Sequence, residues 1–115
     1  MKTVIYLDHA ATTRLSDRAL EAMLPWLRDG YGNPSGQYAL GRQAARTLDD
    51  ARSRVAAVLG CKPADVVFTG PGTESINAAI KGVALAQQRA GLGNHIVTAT
   101  TELHAVLHSC EWLER

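Results

Sequence analysis

A chain of 115 residues, 46% hydrophobic and 20% charged, has room for one small globular domain with a core, and its formal net charge of +1 gives no argument for nucleic acid or an acidic partner. No apolar run approaches the roughly 20 residues of a membrane span, and the start lacks the basic and apolar regions of a secretory signal, so a cytoplasmic protein is expected. Cys61 and Cys110 are the only cysteines and lack CxxC spacing, so neither a disulfide framework nor a zinc ribbon is expected and both are taken as free, packing thiols.

In chain order, Val4-Ile5-Tyr6-Leu7 is a short strand or extended segment, and Ser16 followed by Asp17 starts a helix that runs to about Asp29 and stops at Gly30. Tyr31 to Gln37 is rich in Gly, Asn, Pro and Ser, the chemistry of a loop with exposed backbone groups. From Ala39 the residues Leu40, Ala44, Leu48, Ala51, Val55 and Val58 recur at helical spacing with Arg42, Arg46, Asp49, Asp50 and Arg52 between them, until Gly60 ends the helix. A strand at Val66–Thr69, a helix from about Glu74 to Ala90 stopped by Gly91, a strand at His95–Ala99 and a last helix from near Leu103 to Arg115 follow.

Strands rich in β-branched residues alternating with helices predict an α/β fold, a parallel or mostly parallel sheet with helices on both faces. Ligands of such a sheet gather beyond the carboxyl ends of its strands, at Gly70–Thr73 and Thr100–His104. Two parallel strands leave unpaired edges and the last helix stops without a cap, so a fragment that needs more chain or a partner is expected. The alternative is a small natural protein whose last helix frays.

The apolar run, the small-residue turn and the helix start across Val66–Ser75 have the makings of a phosphate cup. Glycine lets the backbone come close to an anion, and first-turn N–H groups face it with the positive end of the helix dipole behind them. Thr73 would cap that helix or donate its hydroxyl to a phosphate oxygen. The same pattern also describes an ordinary βα connection.

Four segments in order resemble one family. Tyr6-Leu7-Asp8-His9-Ala10-Ala11-Thr12-Thr13 is the first, and Gly32-Asn33-Pro34-Ser35 with Gly41-Arg42 the second. Phe68-Thr69 with Gly72-Thr73-Glu74-Ser75 and Asn77 is the third, and Thr101-Glu102 with Ala105-Val106 the fourth. Together they resemble the N-terminal portion of the cysteine desulfurases, class-V aminotransferase-like enzymes. The resemblance implies the fold-type I scaffold, with residues 1–15 associated with the small domain and 16–115 beginning the large cofactor-binding domain. It also implies pyridoxal 5'-phosphate (PLP) as cofactor and L-cysteine as substrate, with L-alanine and an enzyme persulfide as products. A homodimer is implied, as is a protein that accepts the sulfur for iron–sulfur cluster assembly or tRNA thiolation. The selenocysteine lyases share the scaffold and are the alternative, as is a noncatalytic module that pairs with a complete paralogue.

By resemblance, Gly72 and Thr73 would hold the PLP phosphate and Asn77 would support them, while Ala10, Ala11 and Asn33 would lie at the substrate. The chain departs from the family at several positions. Leu103 stands where the family commonly has a cofactor-stacking histidine, which makes His104 the catalytic candidate. Gly36 and Tyr38 replace a serine and a histidine, the tyrosine being similar to that of selenocysteine lyases, Gly70-Pro71 replaces Ser-Gly, and Ile76 replaces Asp or Asn. None of Lys2, Lys62 and Lys81 matches the cofactor-linking lysine, and neither cysteine matches the persulfide position, so the chain by itself is expected to be inactive. His104 and His108 at i, i+4, with Glu111 a turn further, offer a metal alternative, but no third ligand has convincing spacing and no metal is expected.

Overall fold

Ser16 starts the first helix as its sequence predicts. In the computed structural model, which describes residues 4–115, Ser16 is extended (φ −71°, ψ 146°) and its Oγ accepts the N–H of Ala19 at 3.2 Å. Helix α1 (Asp17–Arg28) carries Asp17 in its first turn and Arg28 in its last, each matched to the helix dipole. Pro25 supplies no N–H and sits one turn from the end, where its carbonyl accepts from both Asp29 and Gly30 at 2.9 Å.

Helix α2 (Ala39–Leu59) ends at Gly60, whose φ of 68° is the left-handed conformation that glycine adopts without a Cβ penalty. The N–H groups of Gly60 and Cys61 both return to the Ala56 carbonyl, and Ala56 itself is 1% exposed. A short 3-10 helix, Pro63–Asp65, follows and packs against α2. Its Asp65 carboxylate accepts the Lys62 N–H at 3.1 Å.

Arg52 clamps this turn to α2. Its Nε donates to the Val66 carbonyl at 3.1 Å while its Nη1 reaches Asp49 Oδ1 at 3.0 Å. The amphipathic pattern of α2 placed an arginine beside its apolar stripe but gave no sign that it would bridge 14 residues to the far side of the 3-10 turn.

The chain divides into two compact units between Val66 and Val67. In the second, helix α3 (Gly72–Arg89) packs against α4 (His104–Glu114), and the Lys81 ammonium lies 4.6 Å from the centroid of the Trp112 ring. Lys81 is half-buried there. Ser109 is fully buried in α4, its Oγ donating to the Ala105 carbonyl at 2.7 Å.

The expected strands are where the structure differs. Among the described residues, Val4–Leu7, Val66–Thr69 and His95–Ala99 join no ladder, and Val67 and Val97 stand 78% and 86% exposed. Alternation and β-branching prepare a segment for a sheet, but a strand exists only by exchanging N–H···O=C bonds with a neighbour. Lys2 lies outside the described residues.

The Arg52 clamp should be felt in stability. Arg52→Ala is expected to lower the urea unfolding free energy by about 1–2 kcal/mol, because it orphans the Val66 carbonyl, whereas Asp49→Ala, at an exposed carboxylate, is expected to cost under about 1 kcal/mol. Equal losses in the two variants would refute the clamp.

Candidate functional site

The third motif forms the mouth of α3. Pro71 (φ −83°, ψ 164°) is the N-cap residue, and its carbonyl accepts from Glu74 N at 3.0 Å and Ser75 N at 3.4 Å. Gly72 and Thr73 are thus the first two helical residues, two positions earlier than the sequence predicts, and their N–H groups are among those a helix leaves without internal acceptors. Thr73 does not cap the helix, because the cap falls two residues before it at Pro71. Its hydroxyl makes no hydrogen bond among the described residues. A Cβ added to Gly72 would meet nothing within 4 Å, so the mouth is open there.

Side chains hold this mouth in shape. Glu74 reaches back so that Oε2 accepts the Gly70 N–H at 2.7 Å, and the hydroxyls of Thr69 and Ser75 lie 2.5 Å apart across the turn. Asn77 Nδ2 donates to the Thr73 carbonyl at 2.9 Å, which steadies Thr73 from one turn below. The Glu74 contact went unforeseen although a signal for it existed, since a glutamate at the third helical position is where a capping carboxylate turns back. With proline rather than serine or aspartate at the cap, that signal was incomplete.

Two free N–H groups, a free hydroxyl and the positive end of an 18-residue helix suit an anion such as the phosphate of PLP. The Glu74 carboxylate opposes it as a like charge, but is drawn away onto Gly70. The donor set therefore fits a phosphate, held chiefly by Gly72 and Thr73.

In the fourth motif, Leu103 and His104 differ in backbone as well as in chemistry. Leu103 is the extended N-cap residue of α4 (φ −58°, ψ 142°), its carbonyl accepting from Val106 and Leu107, while His104 is the first helical residue. The exposed His104 ring lies 5.7 Å from that of His108, tilted by 55°. Among the described residues no third ligand joins the pair in a metal-binding group.

The first and second motifs belong to the other unit. The Tyr6 hydroxyl lies 2.8 Å from the Asp8 carbonyl and 2.9 Å from that of Thr12, closing Asp8–Thr12 into a tight turn. The Asp8 carbonyl also accepts from Ala11 N at 3.2 Å, and the His9 ring stands edge-on to Tyr6 with centroids 5.0 Å apart. Ala10 and Ala11 are exposed on this turn.

Asn33 sits in a loop closed on itself. Its Oδ1 accepts Ser35 N at 2.9 Å, its carbonyl accepts Gly36 N at 2.8 Å, and its own N–H donates to the Tyr38 hydroxyl at 2.7 Å. Gly41, in the first turn of α2, is buried against this loop, and a Cβ there would fall 2.5 Å from the Gly36 carbonyl oxygen and 2.7 Å from that of Asn33. The structure thus brings Gly72, Thr73 and Asn77 together on α3, and builds the loops of Ala10–Ala11 and Asn33 separately in the first unit.

Comparison with known proteins bears directly on these motifs. A family model for aminotransferase class-V matches residues 5–115. The chain is 48% identical over 110 residues to a putative cysteine desulfurase IscS 1 of Bacillus subtilis (strain 168), covering 96% of this chain and 28% of that protein. It is 45% identical over 115 residues to the cysteine desulfurase IscS of Dictyoglomus turgidum, covering all of this chain and 29% of that one. Among solved structures it resembles a NifS-like protein with a TM-score of 0.84 and 39% identity, over 96% of this chain and 30% of the other. A structure described as SspA in complex with cysteine gives a TM-score of 0.82 and 37% identity, over 95% and 31%. The chain spans under a third of the length of the curated relatives it matches. With the family model covering nearly every residue and all four motifs inside it, the chain belongs to the aminotransferase class-V family, and within it is similar to the cysteine desulfurases.

Proposed function

We propose that the protein acts in PLP-dependent release of sulfur from L-cysteine, leaving L-alanine and a persulfide on a protein thiol. The observation that carries this reading is the open mouth of α3, where the motif shared with the desulfurases coincides with uncommitted donors of the kind a phosphate needs. The cysteine held by the similar SspA structure supports the substrate. Tyr38 favours selenocysteine as a second substrate reading, because a tyrosine at that position is similar to the selenocysteine lyases.

PLP, when bound, supplies the electron sink that lets a substrate proton leave carbon. The chain's own residues do the rest of what is assigned to it. Gly72 and Thr73 bind the phosphate through backbone N–H groups and the Thr73 hydroxyl, and Asn77 keeps the Thr73 carbonyl in place. His104 is the residue of this chain that would hold or move a proton, as a neutral imidazole carries one nitrogen that donates and one that accepts. Ala10 and Ala11 leave room beside the substrate and Asn33 offers it an amide.

The rest of the architecture follows the same reading. The exposed segments Val66–Thr69 and His95–Ala99 become neighbouring strands of a mostly parallel sheet with helices on both faces, which would bury Val67 and Val97. Residues 1–15 go with a small domain and 16–115 with the large one, in a homodimeric, cytoplasmic enzyme that passes its sulfur to an acceptor protein.

Titration of the purified protein with PLP, followed by absorbance and competed with inorganic phosphate, tests the cup. Thr73→Val is expected to weaken PLP binding about tenfold, the loss of one hydrogen bond to a charged group. Binding untouched by this substitution and by competing phosphate would remove the basis for the assignment. Glu74→Gln keeps an acceptor for the Gly70 N–H and removes the like charge, so it is expected to tighten PLP binding about threefold, an effect that shrinks at high salt.

A further inference from the structure

We propose that Tyr38 is a positioning residue for Asn33, and that Gly36 and Tyr38 form one coupled unit in which the glycine makes room for the ring that holds the asparagine. The inference rests on the desulfurase reading for the substrate and on the geometry for everything else.

Tyr38 joins a rigid element to a loop. Its backbone is the N-cap of the 21-residue α2, with its carbonyl accepting from Arg42 N at 3.0 Å, and its hydroxyl extends back five residues to accept the Asn33 N–H at 2.7 Å. The Arg42 guanidinium donates to the Gln37 carbonyl beside it, so the Tyr38 end of this brace is tied to the first turn of α2.

The brace leaves Asn33 with one group to offer. Its N–H is taken by Tyr38, its carbonyl by Gly36 N and its Oδ1 by Ser35 N. Because Oδ1 is fixed by a backbone donor, the amide can be oriented only one way, and Nδ2 with its two donors stays uncommitted on an exposed residue. An immobilised, outward amide donor suits a carboxylate oxygen, the group by which an amino acid such as cysteine can be held away from its reacting end.

Gly36 is the condition for this arrangement. A Cβ at position 36 would fall within the Tyr38 ring, 2.9 Å from Cδ1 and 3.0 Å from Cζ. The ring could turn aside, but only by giving up the Asn33 N–H. The Gly36 and Tyr38 departures from the usual serine and histidine are thus a single change: an imidazole is too short to span to Asn33 N as the phenol does, and a serine at 36 collides with the phenol.

The test uses the PLP-loaded protein and the variants Tyr38→Phe, Gly36→Ser, Tyr38→His and the Gly36→Ser/Tyr38→His pair, with Asn33 amide exchange read by NMR beside the Kd for L-cysteine and for cysteamine, which lacks the carboxylate. Tyr38→Phe is expected to speed Asn33 exchange three- to tenfold, the effect of one lost hydrogen bond, and to raise the Kd for L-cysteine by a similar factor with a smaller change for cysteamine. Gly36→Ser should do the same while the hydroxyl is still present. In the Tyr38→His background the serine should add no further loss. Unchanged Asn33 exchange in Tyr38→Phe overturns the brace, additive losses in the double variant overturn the coupling, and faster exchange at a constant Kd for L-cysteine, or an equal loss for cysteamine, overturns the positioning role. Absence of L-cysteine binding in the parent protein overturns the substrate reading and Asn33's role in it, and the exchange data alone then separate that failure from failure of the brace.

Discussion

The uncommitted N–H groups of Gly72 and Thr73 at the start of α3 are the constraint on which the functional reading depends. A helix cannot satisfy its first donors internally, and here the neighbouring groups are organised so that these two stay available. Pro71 at the cap brings no N–H of its own to compete, its carbonyl is occupied by Glu74 and Ser75, and the Glu74 carboxylate is turned onto Gly70. The loss of a donor at position 71 is thus less damaging than the sequence suggests. A proline at the cap sits outside the helical positions that face an anion, and the donors behind it remain in place.

The same economy governs the first unit. Its two motif loops are built almost wholly from short-range bonds between side chains and backbone: Tyr6 closes the Asp8–Thr12 turn, and Tyr38 closes the Asn33–Gly36 turn. Each tyrosine uses its length to reach backbone groups of its turn, and each leaves small or uncommitted groups outward, Ala10 and Ala11 on one loop and the Asn33 amide on the other. Loops of this kind can be ordered without a large core. Among the described residues, Ala56 is the only hydrophobic side chain that counts as buried.

How much of this was legible in the sequence follows from which interactions are local. The stops and starts of α1 and α2 could be read because Ser16 and Gly60 act within a turn of their own position. The four motifs carried the family and the candidate residues for the same reason, as contiguous runs. The strands were not recoverable from Val66–Thr69 or His95–Ala99 alone, since pairing is a property of two segments and no ladder forms among the described residues. The Arg52 bridge to Val66 and the Tyr38 brace to Asn33 also escaped the reading, because neither spacing matches a helical or strand period.

The departures from the family pattern divide by the kind of group they touch. The phosphate holding proposed for Gly72 and Thr73 would rely largely on backbone donors, which survive a change from Ser-Gly to Gly-Pro just before them. Proton transfer relies on one side chain leaving the backbone in one direction, and there the substitution is not neutral. Leu103 is extended and lies outside α4, whereas His104 is its first helical residue, so moving the imidazole by one position changes both its origin and its direction. His104 also has His108 beside it on α4. On the proposed assignment, phosphate holding would therefore survive these departures better than proton transfer, and any acid–base role for His104 would be reached from inside the first turn of the helix, not from the loop before it.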